Sequence, residues 1–200
     1  PRWLRADDPV RVRGEMYHAH PIESSDLGAV KMETAGGVDI TYLVTLAGWE
    51  NIGPLSRVYG TKGMAEWSMS GPTILRIEGQ PEQVIDWDRQ REHDEVFRNT
   101  ILYIRGLTPE LNCPAAMTRP YTVAVNAGFQ SNGRPTAIPA EFVTRYEEEG
   151  GDVFTAINDI EAIIRRGYEE RKTYSDMGIA WARETPWVDT RDYREFKPEF

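Results

Sequence analysis

Hydrophobic and polar residues alternate along the chain from Pro9 to about Trp87. In the clearest run, from Val38 to Leu46, every second residue is apolar, which is the period of a strand with one buried face. Glycine turns such as Gly36-Gly37 separate successive runs and indicate hairpins. The pattern predicts a mostly antiparallel sheet, with strands at residues 10–16, 30–33, 38–46, 55–59, 64–69, 73–77 and 84–87.

The period becomes that of a helix after Trp87. A first helix ends at Gly106, and its apolar stripe consists of Phe97, Ile101 and Ile104. A second helix is predicted over Thr118–Gly133, with Thr118 as its cap and Pro120 in its first turn. The side chains along one stripe of this helix are small, which lets the helix approach another element closely. They are Ala124, Ala127, Gly128 and Ser131.

The last third of the chain predicts one more helix and an aromatic tail. The helix covers Asp152–Thr173 and is capped by Asp152. Its inward residues are Val153, Ile157, Ile160 and Ile164. Residues 175–200 have no period but are too aromatic for a solvated tail, so we expect them to pack on the body or on a second subunit. We therefore divide the chain into a sheet-and-helix domain, residues 1–140, and a C-terminal extension, residues 141–200.

Composition narrows the class of protein. The chain has 200 residues, of which 40% are hydrophobic, so it can bury a sizeable core. Its 32 acidic and 23 basic residues give a net charge of −9, which argues against nucleic acid as a partner. No apolar run approaches the length of a membrane span, and Cys113 is the only cysteine. A reducing cytoplasm is the expected location.

Two motifs suggest chemistry and have plainer alternatives. Gly60-Thr61-Lys62-Gly63 lacks the earlier glycine and the hydroxyl residue of a phosphate-binding loop, so we interpret it as a hairpin turn. His18 and His20, spaced by two, face one side of a strand and could bind a metal with Glu23 or Asp26. A polar strand end beside a cleft is the more ordinary interpretation of these histidines, and we predict no metal site.

Other residues leave both interpretations open. Trp49 follows Gly48 at a strand end, where it could either stack on a sugar or cover the sheet. Trp67 lies within a strand and favours packing. His93 opens a helix beside acidic and basic neighbours, which favours a structural role.

The order of these segments resembles the C-terminal domain of the Gfo/Idh/MocA oxidoreductases, the family of glucose-fructose oxidoreductase and inositol 2-dehydrogenase. The runs that carry the resemblance are "DLGAVKMETAGGVDITYLVTLAG", "RVYGTKGMAEW", "HDEVFRNTILYIRGLTP" and "TVAVNAGFQSNGRPTAIP". It covers roughly Trp3 to Pro139. It implies an α+β fold: an open, mostly antiparallel sheet with helices packed on one face, like the C-terminal domains of glyceraldehyde-3-phosphate dehydrogenase and dihydrodipicolinate reductase.

The resemblance also implies a role. In this family the domain shapes the substrate site and pairs subunits through its sheet, while an N-terminal Rossmann domain binds NAD or NADP. The family's Glu-Lys-Pro motif is absent here, and its Asp-x-x-x-His helix would end near Trp3, so we expect a fragment without catalytic residues. The expected substrate is a sugar, polyol or related molecule, and the expected assembly is a homodimer or larger homo-oligomer. The substrate-binding candidates at strand ends and connections are His18, His20, Trp49 and Arg119. The alternative is a non-catalytic dimerisation or ligand-binding domain.

Overall fold

The computed structural model describes residues 5–86, 88–147 and 150–197. Trp3 and Trp87, where the sequence suggested a helix end and a strand end, lie outside these residues. Two compact units form: one contains residues up to Glu50 and from Ala115 onward, and the other contains Asn51–Pro114. Residue 140, where we placed a boundary, lies inside the first unit.

The first unit is built on a five-stranded sheet. Its strands are β1 (Pro9–His18), β2 (Leu27–Thr34) and β3 (Asp39–Thr45), joined later by β8 (Thr136–Ala137) and β11 (Val188–Asp189). The strand order is β11-β1-β2-β3, and β8 pairs in parallel with the end of β1. The other pairings are antiparallel. The Gly36-Gly37 hairpin between β2 and β3 is confirmed, with Gly37 at φ 79°.

Helix α2 (Ala115–Asn132) covers one face of this sheet. Its predicted stripe of small residues is buried and faces the sheet, where Val12 and Met16 of β1 and Val30 of β2 complete a core cluster with Ala127. The predicted start of this helix was wrong by three residues. Thr118 lies inside the first turns, where its hydroxyl donates to the carbonyl of Ala115, so it is not the cap.

The opposite face is covered by helix α3 (Ile160–Glu170) and by the residues 171–187 that follow it, here named the C-terminal strap. Tyr174 and Trp181 of the strap are buried against Tyr17 and Leu27 of the sheet. The sheet of the first unit therefore has helices on both of its faces, whereas we expected helices on one face.

The third predicted helix was wrong in its first half. Residues Val153–Ile157 form strand β10, which pairs with β9 (Val143–Glu147), and a short 3₁₀ helix, Ala140–Phe142, precedes them. β-Branched and aromatic residues favour a strand here, and Asp159 at φ 60° separates the strand from α3. Asp152 therefore precedes a strand and caps no helix. Ile157 and Ile160 are both buried, on different elements.

The second unit is a four-stranded antiparallel meander and a helix. Its strands are β4 (Leu55–Gly60), β5 (Gly63–Ser68), β6 (Thr73–Ile77) and β7 (Gln83–Ile85), followed by α1 (Arg89–Ile104). Gly106, at φ 69°, follows the end of α1 as predicted. The predicted stripe of α1 is exposed, and Ile104 keeps 77% of its surface.

The predicted α+β class and antiparallel pairing are confirmed. None of the helices in the described part of the chain is long and apolar enough to cross a membrane.

Candidate functional site

The loop of residues 19–26, here named the histidine loop, joins β1 to β2; His18 ends β1 and His20 lies in the loop. The carboxylate of Asp26 is buried and accepts hydrogen bonds from the backbone N–H groups of Ala19 and His20, each at 2.9 Å. The backbone of Asp26 in turn donates to the carbonyl of Tyr17. These bonds fix the direction in which the His20 side chain leaves the loop.

His20 and Asp26 form a hydrogen-bonded pair. The distance from His20 Nδ1 to Asp26 Oδ2 is 2.6 Å, and the His20 side chain is about one-third exposed, at 33%. An ionised carboxylate can only accept, so Nδ1 carries the hydrogen. In the neutral ring, Nε2 therefore presents a lone pair. Histidine–carboxylate pairs of this kind orient an imidazole for hydrogen bonding or proton transfer.

His18 is held in the same way by a different acceptor. Its Nδ1 lies 2.8 Å from the carbonyl oxygen of His20, so this nitrogen is also the donor and Nε2 is again the free acceptor. Within residues 5–86, 88–147 and 150–197, neither Nε2 atom has a hydrogen-bond partner. The two histidines offer acceptors to a ligand at one strand end.

The contacts of Asp26 do not favour a metal site at His18 and His20. Asp26 does lie beside His20, but it already binds Ala19 and His20 through hydrogen bonds. In the described part of the chain, no group of three or more His, Cys, Asp or Glu residues is placed to hold a metal ion.

A guanidinium group reaches the same loop from the β9–β10 hairpin. Arg145 of β9 donates through one nitrogen to the carbonyl of Ala19, the residue whose N–H binds Asp26. Among the described residues, Arg145 has no carboxylate within ion-pair distance, and this includes Asp26. A guanidinium group without a carboxylate partner in the described part of the chain therefore lies at this loop.

Trp49 lies in an aromatic cluster. Its ring stacks on Tyr146 at 5.8 Å with an interplanar angle of 11°, and Phe154 lies 5.0 Å away. Half of the Trp49 surface, 50%, remains exposed. Adjacent residues of a strand point to opposite faces. Tyr146 and the Trp49 ring that stacks on it therefore lie on one face of the β9–β10 hairpin, and Arg145 lies on the other.

Glu161 holds the backbone of the Trp49 loop. One of its oxygens accepts from the N–H of Trp49 and, at 3.0 Å, from that of Glu50. Burial alone would raise the pKa of Glu161, but these backbone donors outweigh it and lower the pKa. Trp49 is thus presented by a fixed loop at the start of α3.

Arg119 lies at the other end of β1 from the histidines. Its guanidinium donates to the carbonyl of Tyr193 at 2.6 Å and lies 4.0 Å from the carboxylate of Asp8. Asp8 directly precedes β1, whereas His18 is the last residue of that strand. Of the four sequence candidates, the structure brings together only His18 and His20.

The remaining motifs have structural explanations. Gly60-Thr61-Lys62-Gly63 joins β4 to β5 as predicted, and a β-carbon on Gly63 would come within 2.0 Å of the Arg76 carbonyl oxygen. Close approach of the neighbouring strand explains this glycine without a phosphate. An open depression of about 570 Å³ lies beside Gln130 and the segment from Val188 to Lys197, away from the histidine loop.

The sequence did not reveal the roles of Asp26 and Arg145 at this loop. Asp26 was considered only as a metal ligand, although Asp side chains in turns commonly accept hydrogen bonds from nearby backbone N–H groups. Arg145 gave no signal at all, because its contact with Ala19 spans 126 positions of sequence.

No protein-family model and no curated protein matches the sequence. Among solved structures, a UDP-N-acetylglucosamine 3-dehydrogenase from Acidithiobacillus ferrooxidans matches with a TM-score of 0.50 at 14% identity. The match covers 59% of this chain and 40% of that one. The neighbours are oxidoreductases of the Gfo/Idh/MocA type.

Two other neighbours of the Gfo/Idh/MocA type match less of the fold. An inositol dehydrogenase homolog from Azotobacter vinelandii, solved with NADH and myo-inositol, has a TM-score of 0.35 at 22% identity. An oxidoreductase from Pseudomonas syringae has a TM-score of 0.36 at 20% identity. Each match covers 40% of this chain and 22% or 23% of the neighbour, so the chain spans less than half the length of these proteins. The Gfo/Idh/MocA resemblance is confirmed at the level of fold.

Proposed function

We propose that this chain is the substrate-binding and subunit-association domain of an NAD(P)-dependent oxidoreductase acting on a sugar, a polyol or a related hydroxylated small molecule. A separate N-terminal Rossmann domain binds NAD or NADP in this proposal. The chain itself supplies no catalytic lysine and is inactive alone. The observation that carries the proposal is the His20–Asp26 pair, on a fold shared with a sugar-nucleotide dehydrogenase.

The histidine loop suits recognition of hydroxyl groups. A sugar or polyol hydroxyl donates one hydrogen, and the Nε2 lone pairs of His18 and His20 can accept from adjacent hydroxyls. Asp26 makes this possible at His20 by holding the hydrogen on Nδ1. Hydride transfer also needs a substrate that is fixed in one orientation, and two acceptors on one loop contribute to that.

The two other candidates have different places in the proposal. The exposed ring of Trp49 is suited to stacking on the apolar face of a sugar, as a contact on the other side of the β9–β10 hairpin. Arg119 already binds the Tyr193 carbonyl, and no contact supports a role in substrate binding.

Among the described residues, the glycine turn Gly60–Gly63 does not fit the pyrophosphate of a nicotinamide dinucleotide. The cofactor's pyrophosphate is normally held where a glycine turn opens a helix. Here the glycine turn Gly60–Gly63 opens strand β5, and Gly63 is pressed against the backbone of Arg76. The proposal therefore assigns the cofactor to another domain.

The test is kinetic and uses the product of the whole reading frame that contains this chain. We expect oxidation of sugars or polyols with NAD or NADP, and a Gly-x-Gly-x-x-Gly unit in a preceding domain. His20→Ala should raise KM for the substrate by about tenfold, since a lost hydrogen bond is worth about 1 kcal/mol or more. The matched control is His93→Ala, an exposed histidine on α1 in the second unit.

Two results would contradict this proposal. One is a full-length protein that reduces neither NAD nor NADP with any sugar or polyol of a broad panel. The other is a His20→Ala enzyme with the kinetic constants of the His93→Ala control.

A second candidate function is subunit association without catalysis. Strand β3 ends its sheet in the described fold, and its residues on the α2 side are apolar and exposed. They are Ile40, Tyr42, Val44 and, just beyond the strand, Leu46. Such a surface usually marks an interface. A monomer in light scattering at high micromolar concentration would contradict this role.

A further inference from the structure

Arg145 contacts the loop that follows β1 through its guanidinium group. The chain carries a net charge of −9, and many of its arginines pair with a carboxylate, as Arg57 does with Glu66 and Arg166 with Glu170. Arg145 instead binds a neutral carbonyl, that of Ala19, and no described carboxylate pairs with it. Arg145 thus keeps its charge at the histidine loop without a carboxylate partner among the described residues.

Asp26 and Arg145 contact the same loop residue without pairing with each other. Asp26 and Arg145 both bind Ala19, but Asp26 accepts from its N–H and Arg145 donates to its C=O. The carboxylate of Asp26 is thus engaged with Ala19 and His20, and it forms no ion pair with Arg145.

The remaining N–H groups of Arg145 are suited to an oxyanion. A guanidinium has five N–H donors in a planar fork, and one of its nitrogens is engaged with Ala19. The carbonyl contact limits the motion of the group without neutralising its charge. A carboxylate or phosphate ester can then accept two parallel hydrogen bonds from the fork.

We propose that Arg145 binds an anionic substituent, a carboxylate or a phosphate ester, on the hydroxylated substrate. His18 and His20 accept hydrogen bonds from the hydroxyl groups of the same molecule. This inference rests on the proposed function and narrows its substrate to sugar acids or sugar phosphates. His20, one residue from Ala19, places the hydroxyl contacts next to the charged one. Arg145 is a binding residue that sets specificity, with no part in the chemistry.

Calorimetry on this 200-residue chain tests the inference directly. The probes are glucose, myo-inositol, glucuronate, glucose 6-phosphate and inorganic phosphate at one fixed ionic strength. We expect glucuronate or glucose 6-phosphate to bind at least about tenfold more tightly than glucose, because their anionic groups add charge-assisted hydrogen bonds that glucose cannot make. The difference between these two anionic sugars identifies the carboxylate or the phosphate.

Arg145→Gln should abolish the preference for the anionic sugars and leave glucose binding unchanged. Arg166→Gln is the matched control, because that guanidinium pairs with Glu170 on α3. Arg145→Lys should recover only part of the preference, since an ammonium cannot bind in the bidentate manner. Circular dichroism of each variant establishes that it is folded.

Three outcomes would overturn the inference. The first is that glucose binds with the same affinity as glucuronate and glucose 6-phosphate. The second is a preference for the anionic sugars that survives Arg145→Gln. The third is the absence of binding of either anionic sugar at tens of millimolar. Binding of glucose or myo-inositol without a preference for the anionic sugars overturns this inference alone, whereas a chain that binds inorganic phosphate but no sugar contradicts the proposed function as well.

Discussion

Gly14 of β1 and Gly128 of α2 set how closely the helix approaches the sheet. A β-carbon on Gly14 would lie 2.5 Å from the Gly128 Cα and its carbonyl oxygen, so no side chain fits there. A β-carbon on Gly128 would meet the ends of flexible side chains instead, Met16 Cε at 3.1 Å and Val30 Cγ2 at 3.3 Å. The two glycines face each other, but an added side chain would meet backbone atoms at Gly14 and flexible side chains at Gly128.

We predict that Gly14→Ala destabilises the protein far more than Gly128→Ala. Overpacking against backbone costs about 1–3 kcal/mol or more, whereas Met16 can move away from a new methyl group. A helical Gly→Ala change also gains about 0.5–1 kcal/mol, which offsets part of the crowding in α2. Urea unfolding of both variants measures the difference, and equal midpoints would refute the prediction.

Asp176 of the C-terminal strap is the partner of a buried arginine. Burial alone would raise its pKa, but hydrogen bonds and charge from Arg13 and Lys31 outweigh burial and lower the pKa to about 2. A depressed carboxyl pKa stabilises the fold above the unfolded value of about 4, and this stability is lost as pH falls through about 2.

We therefore predict a loss of stability between about pH 4 and pH 2 that depends on Asp176. Its contribution is on the order of 1 kcal/mol, because the side chain is partly exposed and solvent screens the ion pair. Asp176→Asn should flatten the pH dependence of the free energy of unfolding in this range. Asp7→Asn, which changes an exposed partner of Arg5, should leave the dependence as it is.

The C-terminal strap is the element that closes the second face of the sheet. Glu15 of β1 is buried and accepts from the hydroxyl of Ser175 at 2.6 Å, and the N–H of Arg183 donates to the hydroxyl of Tyr17 at 3.0 Å. The Trp181 ring lies 5.1 Å from that of Tyr17 in an edge-to-face arrangement. Polar and aromatic contacts therefore both hold this element.

We predict that Trp181→Ala destabilises the fold by about 3–5 kcal/mol, as expected for a large buried ring. Trp187→Ala is the matched control, since that ring is more exposed and mainly covers the guanidinium of Arg11 at 4.5 Å. Its loss should cost about 1 kcal/mol. Guanidinium unfolding followed by circular dichroism compares them; similar losses in both variants would show that the strap does not seal the core.

The elements show how far sequence patterns reach. Strands β1 to β7 follow from period-two alternation and glycine turns, because both signals are local. Residues 153–157 were misassigned because their apolar spacing also fits a helix, and pairing with β9 decides in favour of a strand. The His18–His20 spacing predicted the strand end of the site, whereas the contact of Arg145 with Ala19 depends on tertiary structure alone.

At the scale of the molecule, the chain is two compact units without a dinucleotide cradle among its described residues. We predict that the 200-residue chain binds NADH no more tightly than about 1 mM, because no glycine turn opens a helix for the pyrophosphate. Isothermal calorimetry with NADH and NADPH measures this affinity. Micromolar binding of either nucleotide would contradict the assignment of the cofactor to another domain.

The position of β1 constrains how the protein is made. Its register joins Arg11 to Asp189, so one edge of this strand stays unpaired by β11 until Asp189 has left the ribosome. At about 5–20 residues per second, translation of the intervening stretch lasts roughly 10–35 seconds. For most of that interval the nascent sheet presents Tyr17 and Leu27 without Tyr174 or Trp181 above them. A chain stalled before residue 174 is thus an aggregation-prone species and a natural client for a chaperone.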